Sequence, residues 1–270
     1  MSSEKQVEFT KENIDLYLKE VAKEYRKQVG KNMPAEFVLI GGASVLINYG
    51  FRNMTTDIDA LIEAASAMKD AINRVGDQYE LPNGWLNADF KNTDSYSAKL
   101  SQYSVYYKTY SNVMTIRTIA AEYLIAMKLR SGRQYKSDLS DVLGILAEHE
   151  KRGTRITMDQ IRKAVGDLYG AWETLPESSR AFIENVMEDG RFVELYEQTV
   201  RGERETKELL IQFEKDHPGV TRESNVDRIA DNLQKKTDRA SILARLREKK
   251  AQTEQIEATK LVDKRGDREI

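Results

Sequence analysis

The sequence predicts an α+β fold, in which an N-terminal sheet domain is followed by a helical lobe and then by a charged helical C-terminal segment. Three observations carry this prediction. Up to residue 120, short apolar and β-branched runs bounded by turn residues alternate with helical patterns. After residue 120, apolar residues recur at helical spacing. Beyond Pro218-Gly219 they form only narrow stripes among many charged residues. We therefore predict three parts, residues 1–120, 121–217 and 218–270.

The first element is an amphipathic helix over Thr10–Gln28, because its apolar residues fall at helical spacing between a capping Thr10 and Gly30. A buried strand follows Pro34 over Glu36–Ile40. The later elements of the N-terminal part are a helix over Ser44–Tyr49, a strand over Ile58–Ile62, a helix over Ala64–Val75, and a hairpin of strands over Gln102–Thr109 and Val113–Thr118.

Helices fill the rest of the chain. They are predicted over Ala121–Leu129, Asp138–His149, Met158–Tyr169, Glu177–Asp189 and Phe192–His217. Beyond them lie two narrow apolar stripes, the first formed by Val226, Ile229, Ala230 and Leu233 and the second by Ile242, Leu243 and Leu246. Such stripes cannot build a core alone, so we expect helices docked on the body, on a second copy or on a partner. The alternative is a loosely attached tail.

Composition excludes several classes of site. The chain of 270 residues has no cysteine, which excludes disulfides and thiolate chemistry, and its two histidines, His149 and His217, lie far apart in polar surroundings. No apolar run approaches a membrane span, and the charged N-terminus lacks a signal core, so we expect a cytoplasmic protein without a membrane partner. With a net charge of −2, contact with nucleic acid would need a local basic patch.

A glycine pair marks the first candidate site. Gly41 and Gly42 follow the apolar run 37–40, and without side chains they let the backbone approach a bulky anionic group. Ser44 is expected where the next helix begins, so that free N–H groups and the positive end of the helix dipole face the same place.

Two alternating aspartates follow the glycine pair after a short helix. On a strand, the spacing of Asp57 and Asp59 directs both carboxylates to one face, with Ile58 pointing into the core. Two carboxylates on one face repel unless a cation lies between them. Mg²⁺ is the usual cation in such sites, held by one or two carboxylates and by substrate phosphates.

A second candidate segment, residues 122–143, is predicted to form a helix, a short loop and another helix. Its basic residues are Lys128, Arg133 and Lys136, and its acids Asp138 and Asp141 lie three positions apart, on one helix face. Asp138 could equally be an ordinary acid favoured by the dipole at a helix start.

These motifs resemble the nucleotidyltransferase superfamily that includes DNA polymerase beta, in which a Gly-Ser turn holds the triphosphate and an Asp-x-Asp pair binds metals. The order Gly-Gly-Ala-Ser, Arg, Thr-Thr and Asp-Ile-Asp is closer to the AbiEii-like nucleotidyltransferases of bacterial abortive-infection and toxin–antitoxin systems, and to their uncharacterised bacterial allies. The resemblance implies a mixed β-sheet and transfer of a nucleotide from a nucleoside triphosphate to RNA, such as tRNA, or to protein. It also implies Mg²⁺ or Mn²⁺ as cofactor and an antitoxin as partner.

The same resemblance implies roles for individual residues. Metal binding falls to Asp57 and Asp59, and catalysis to these two with Lys128 and Asp138. Nucleotide binding falls to Gly41, Gly42, Ser44, Thr55, Lys128 and Arg133. Ser137 separates Lys136 from Asp138, where relatives often have Lys directly before Asp.

A third carboxylate, usual in the superfamily, has no clear position here. The expected strand Val113–Thr118 carries no acid, and the candidates Asp89 and Asp94 lie upstream in loop sequence. The alternative is therefore a catalytically silent member of the fold that binds nucleotide or a protein partner.

Tyrosines crowd the region before residue 111 and alternate with lysines. They are Tyr96, Tyr103, Tyr106, Tyr107 and Tyr110, beside Lys99 and Lys108. They could stack on bases next to phosphate contacts, but tyrosine also suits half-buried strands, and we favour that interpretation.

Overall fold

A computed structural model describes residues 7–132, 137–222, 225–226 and 228–235. The chain divides into two compact units, Met1–Val200 and Arg201–Ile270. The predicted basic residues Arg133 and Lys136, and the predicted stripe of Ile242, Leu243 and Leu246, lie outside the described residues.

The first unit contains a five-stranded mixed sheet. Its strands are β1 (Ala35–Leu39), β2 (Ile58–Glu63), β3 (Leu86–Asn87), β4 (Ser104–Tyr110) and β5 (Met114–Ile119), in the order β3-β2-β1-β5-β4. The central β1 pairs antiparallel with β2 and parallel with β5. β4 and β5 form an antiparallel hairpin, in which Ser111 and Asn112 adopt positive φ as tight hairpin turns require.

Helices cover both faces of the sheet. Among the strands run α1 (Lys11–Val29), α2 (Gly41–Asn48) and α3 (Ala67–Gln78); after the sheet come α4 (Ala121–Ser131), α5 (Asp138–Lys151), α6 (Met158–Tyr169), α7 (Glu177–Asp189) and α8 (Phe192–Asp216). Thr10 caps α1 through a reciprocal pair of hydrogen bonds with Asn13, as the sequence predicts.

Alternation along the strands builds two separate cores. Phe37, Leu39 and Ile58 face α1 and α3, whereas Val38 and Ile40 pack with the apolar side chains of α4 to α7. The sheet thus lies between an N-terminal helical layer and a helical lobe, and the residues of the candidate site lie where the lobe meets the sheet edge.

The second unit begins within α8. Glu214 accepts hydrogen bonds from the amides of Gly219 and Thr221, which closes the turn after the helix. Val226 and Ala230, on the first predicted C-terminal stripe, are both buried. No helix in the described part of the chain is long and apolar enough to cross a membrane.

The α+β prediction is confirmed, and differences concern the ends of elements. The helix predicted from Ser44 begins at Gly41, because the amide of Ser44 already donates to the carbonyl of Ile40 as the first helical hydrogen bond. The helix predicted from Ala64 begins at Ala67, after a turn in which the amide of Ala65 donates to the Tyr25 hydroxyl. The two-residue strand β3 was not predicted, since it is too short for a periodic signal.

Candidate active site

The glycine pair lies directly beside the second aspartate. Because β1 and β2 are antiparallel, the end of β1 meets the start of β2, and the amide of Ile40 donates to the carbonyl of Asp59 at 2.9 Å. A Cβ built on Gly41 would lie 3.8 Å from Asp59 Oδ2, and Gly41 has a φ of +55°, which favours glycine. The turn and the carboxylate therefore share one small space at the sheet edge.

Gly42 is required for a different reason. A Cβ at this position would lie 2.5 Å from Thr55 Oγ1 and 3.0 Å from Arg52 Nη2, both closer than contacts that real Cβ atoms make readily. Any side chain at Gly42 would therefore displace Thr55 or Arg52. The second glycine lets the loop that precedes the aspartates close over the start of α2.

Burial alternates through the Asp-Ile-Asp segment. Ile58 is fully buried in the core between the sheet and α1, whereas Asp59 is half-buried and Asp57 is exposed just before β2. Thr55 Oγ1 donates to Asp57 Oδ1 at 3.4 Å, so the predicted nucleotide-binding threonine orients the first carboxylate.

Two carboxylates beside an open glycine turn fit a divalent cation that completes its ligands with phosphate and water. Within residues 7–132, 137–222 and the short described stretches beyond them, no three His, Cys, Asp or Glu side chains form a metal-binding group. Asp89 and Asp94, the candidates for a third carboxylate, are exposed and join no such group. On β5, Arg117 donates to Ser104 of the neighbouring strand.

A buried charge network lies between α4 and α5. Lys128 Nζ is 2.8 Å from Asp138 Oδ1 and 2.7 Å from Asp141 Oδ2, and all three side chains are almost entirely buried. Burial alone would lower the pKa of Lys128, but the two carboxylates outweigh it and raise this pKa above its usual value. Asp138 is thus more than an exposed acid at a helix start.

Arg52 connects this network to the glycine turn. Its Nη1 lies 2.6 Å from Asp141 Oδ2, and its Nε donates to the carbonyl of Met54 at 3.0 Å. Because Arg52 Nη2 faces Gly42, one guanidinium links the loop before the aspartates, the start of α2 and the helical lobe. Gly41, Gly42, Asp59, Lys128 and Asp138 therefore belong to one continuous set of contacts, joined through Arg52 and Asp141.

The segment carrying Arg52 lies along α5. Phe51 packs so closely on Gly144 that a Cβ there would lie 2.5 Å from the ring. Tyr49 OH lies 3.1 Å from His149 Nε2, nearer the C-terminal end of α5. Together with the ion pair between Arg52 and Asp141, these two contacts fix the loop to α5.

Ser44 has a structural contact. Its side chain is completely buried, and its Oγ accepts a hydrogen bond from the amide of Ile119 at 3.1 Å, which joins α2 to the end of β5. The expectation that this residue opens the helix and faces the anion needs correction, because its side chain lies one turn inside α2.

The tyrosines before residue 111 include several with structural contacts. Tyr107 and Tyr110 donate to the carboxylate of Asp15 on α1, at 3.0 and 2.5 Å. Tyr103 stacks on Tyr123, with ring centroids 3.8 Å apart. These contacts agree with the interpretation that the tyrosines suit half-buried strands.

Arg52 and Gly144 were missed as parts of the site. Arg52 stands in loop sequence between the glycine and aspartate motifs, and that position was the available signal. No local pattern marks Gly144, since only its distance to Phe51 shows why a side chain cannot fit there.

Residues 17–167 match the family described as "Nucleotidyltransferase of unknown function (DUF6036)". The chain belongs to this nucleotidyltransferase family. The match covers the glycine pair, both aspartates and the Lys128 network, and it confirms the predicted nucleotidyltransferase resemblance at this level. The closer resemblance to the AbiEii-like branch is not confirmed. No curated protein and no solved structure matches the chain.

Proposed function

We propose that this nucleotidyltransferase transfers a nucleotide from a nucleoside triphosphate in a reaction that depends on Mg²⁺ or Mn²⁺. The observation that carries the proposal is the contact between the Gly41 turn and Asp59 at the edge of the sheet. Asp57 and Asp59 would hold the cation, which, when bound, orients the attacking hydroxyl and offsets charge on the triphosphate.

The glycine turn would receive the phosphates. At the start of α2, backbone N–H groups lack helical partners and the helix dipole favours negative charge. Gly41 carries no side chain, so a phosphate oxygen can approach its backbone, whereas Gly42 makes room for the Thr55 and Arg52 side chains beside the start of α2. Ser44 donates its amide to the carbonyl of Ile40 and accepts from the amide of Ile119 through its hydroxyl, so the proposed phosphate contacts fall to the backbone before it.

Lys128 and Asp138 are proposed to act from the helical lobe. Lys128 Nζ contacts two carboxylates, and a phosphate would be a third acceptor for an ammonium that has three N–H donors. Its compact charge suits phosphate oxygens. Arg133 keeps its predicted role in nucleotide binding, outside the described residues.

The acceptor and the biological setting rest on the sequence resemblance. We propose RNA, such as tRNA, or a protein as acceptor, and a role as a toxin–antitoxin or abortive-infection component controlled by an antitoxin. The proposed location is the cytoplasm.

The proposed division into residues 1–120, 121–217 and 218–270 assigns the phosphate and metal contacts to the first part and Lys128 to the second.

A second candidate function is a catalytically silent member that binds nucleotide or a protein partner. The observation that favours it is the absence, among the described residues, of a third carboxylate near Asp57 and Asp59. The central part of β5 carries Arg117, whose guanidinium is held by Ser104. Without a third acid, a base for the attacking hydroxyl would have to come from the acceptor or from solvent.

Calorimetry and label transfer separate the two functions. We expect Asp57→Asn/Asp59→Asn to abolish Mg²⁺-dependent binding of nucleoside triphosphates, while the fold remains and repulsion between the carboxylates is relieved. The matched control is Asp70→Asn/Asp77→Asn, which changes two exposed aspartates on α3 and should bind normally.

The wild-type protein is then incubated with labelled triphosphates, Mg²⁺ and total RNA or cell lysate. Transfer of label supports the enzyme, and binding without transfer supports the silent member. Unchanged Mg²⁺-dependent affinity in the Asp57→Asn/Asp59→Asn protein would remove the proposed metal site.

A further inference from the structure

We infer that Arg52 is the side chain that contacts the phosphates of the nucleotide, an assignment that rests on the proposed function and adds a residue to it. Its guanidinium holds the loop and the lobe with two of its nitrogens and presents the third to the glycine turn. The inference follows from geometry, from charge and from exposure.

The geometry assigns a separate direction to each nitrogen. Nε donates to the carbonyl of Met54 and Nη1 to the carboxylate of Asp141. Nη2 lies beside Gly42, 3.0 Å from the position that a Cβ would take there. A phosphate seated on the Gly41–Gly42 turn would therefore lie within reach of Nη2 without any loss of the other two bonds.

The charges favour Arg52 over Lys128 as the direct contact. Lys128 lies 2.8 and 2.7 Å from two carboxylates, so its charge is balanced within the protein. Arg52 contacts Asp141, a carboxylate that it shares with Lys128. A carboxylate shared by two cations balances each of them less fully, which leaves positive charge available at Arg52.

The exposed fractions of the two side chains also favour Arg52 as the direct phosphate contact. The side chain of Arg52 is 21% exposed, against 9% for Lys128, so more of Arg52 is open to an arriving ligand. A guanidinium has five N–H donors in one plane, against three on a tetrahedral ammonium, so it can hold two protein acceptors and still present paired donors to a phosphate. Lysine at this position would keep the positive charge but lose the planar set of N–H donors.

The first test uses Arg52→Lys in the full chain, with Arg162→Lys, an exposed arginine on α6, as the matched control. Calorimetry measures the affinity for each nucleoside triphosphate and for inorganic tripolyphosphate, with Mg²⁺ and with EDTA. Tripolyphosphate tests the phosphate contact without base or sugar. We expect Arg52→Lys to weaken both ligands about tenfold or more, with and without Mg²⁺, because a hydrogen bond to a charged group is lost.

The measurements in EDTA separate direct contact from positioning. If Arg52 only positioned the loop that leads to Asp57, its replacement would reduce the Mg²⁺-dependent part of binding and leave tripolyphosphate affinity in EDTA unchanged. That result would overturn the inference. In the same buffer, Asp57→Asn/Asp59→Asn should keep or raise tripolyphosphate affinity, because two negative charges are removed.

A second pair of variants covers misfolding of Arg52→Lys. Asp141→Asn keeps the guanidinium, and Arg52→Gln/Asp141→Asn removes it without leaving the Asp141 carboxylate unpaired. We expect the double variant to bind tripolyphosphate in EDTA about tenfold or more weakly than Asp141→Asn. Equal affinities would overturn the inference.

Failure of the proposed function gives a different pattern. If the wild-type protein binds neither tripolyphosphate nor any nucleoside triphosphate, the proposed function fails and the role of Arg52 fails with it. If the wild type binds, Asp57→Asn/Asp59→Asn loses the Mg²⁺-dependent part and Arg52→Lys binds as the wild type does, only the assignment of Arg52 fails.

Discussion

Two clusters of charged and polar side chains, both within residues 7–200, are built around aspartates but differ in composition. At one, Asp15 on α1 accepts hydrogen bonds from Tyr107 and Tyr110 and pairs with the exposed Lys108. At the other, two buried aspartates on α5 pair with Lys128 and Arg52. The first cluster joins a helix to the hairpin of the sheet, and the second joins the lobe to the glycine turn.

The difference lies in how each carboxylate is satisfied. Neutral phenol groups supply two of the hydrogen bonds to Asp15, and its partner Lys108 is exposed, so this cluster has one partly buried anion and no buried cation. The α5 network removes two anions and two cations largely from water, and each ion depends on the others. A cluster of the first kind serves attachment. A cluster of the second kind is sensitive to any charge that arrives beside it.

The largest effect is expected from removal of the central cation. Lys128→Ala removes the cation that two buried carboxylates share, and we expect a loss of about 3–5 kcal/mol in the free energy of unfolding, measured by urea denaturation. The folded fraction should also bind nucleotide more weakly than Lys151→Ala, which changes an exposed lysine at the end of α5.

Lys128→Met/Asp138→Asn provides the control, since it removes one cation and one anion together. It should recover much of the lost stability. Equal stability of Lys128→Ala and Lys151→Ala would contradict the description of the network as buried and mutually dependent.

A smaller loss of stability is expected at the contact between Gly144 and Phe51, which holds the Arg52 loop against α5. Gly144→Ala introduces a methyl group 2.5 Å from the ring of Phe51, and such overpacking typically costs about 1–3 kcal/mol. Thermal unfolding measures the effect, and nucleotide affinity should fall with it because Phe51 precedes Arg52. Phe51→Leu in the same chain should relieve the clash.

Gly166→Ala on α6 is the matched control, because no atom lies within 4 Å of its Cβ position. It should be neutral, or should stabilise by about 0.5–1 kcal/mol through helix propensity. A loss at Gly166 equal to that at Gly144 would show that helix glycines, and not the Phe51 contact, decide the outcome.

These two glycines also show how far the sequence predicts the structure. Helix and strand periodicity predicts elements such as Met158–Tyr169 and Glu177–Asp189 with the bounds that the structure has. Gly144 and Gly166 look alike in sequence, since each is an isolated glycine within a helical pattern. Only tertiary packing assigns one of them to the site.

The candidate site was partly predictable for a similar reason. The glycine pair and the two aspartates are local motifs, and their contact follows from the pairing of β1 with β2. Arg52 becomes part of the site through Asp141, far along the chain, and no local spacing carries such a contact. Ser44 was assigned to the helix start because the sequence does not show that Ile40 already accepts the first helical hydrogen bond.

A modest effect is expected at the Asp15 cluster. Burial alone would raise the pKa of Asp15, but hydrogen bonds from Tyr110, Lys108 and Tyr107 outweigh it and hold this pKa below its usual range. The cluster therefore stabilises the fold above the ordinary aspartate pKa of about 3.9, and this contribution is lost as the pH falls through the lowered value.

At alkaline pH, the contribution of Tyr107 to stability changes in the opposite sense. Burial and the hydrogen bond to Asp15 raise the pKa of Tyr107 to about 12, so its contribution is present below the ordinary value of about 10 and is lost as the pH rises through the raised one. Urea denaturation from pH 3 to 11 should show Asp15→Asn less stable than wild type by about 1 kcal/mol near pH 7, with the gap narrowing below about pH 4. A gap independent of pH would contradict the assignment.

The smallest effect is expected from truncation. A chain that ends at Pro218 retains both clusters and the whole of the first unit, so the main thermal transition should remain within a few degrees. Light scattering then tests the proposal that the stripe of Val226, Ile229 and Leu233 docks on a partner or on a second copy. Collapse of the whole fold would show that the segment belongs to the core, and unchanged melting and assembly would favour a loosely attached tail.

The pairing of β1 with β5 has a consequence for the order in which the site forms during synthesis. Ala35 pairs with Met114, so β1 cannot pair with its parallel neighbour β5 until the ribosome has synthesised most of the sheet. Such distant pairings are slow to form because a long loop must close first. Gly41 and Asp59 can meet early, through the nearer pairing of β1 and β2, but Arg52 gains its carboxylate only when Asp141 has left the ribosome. A nascent chain therefore carries the contact between the glycine turn and Asp59 before it carries the charge network of α4 and α5.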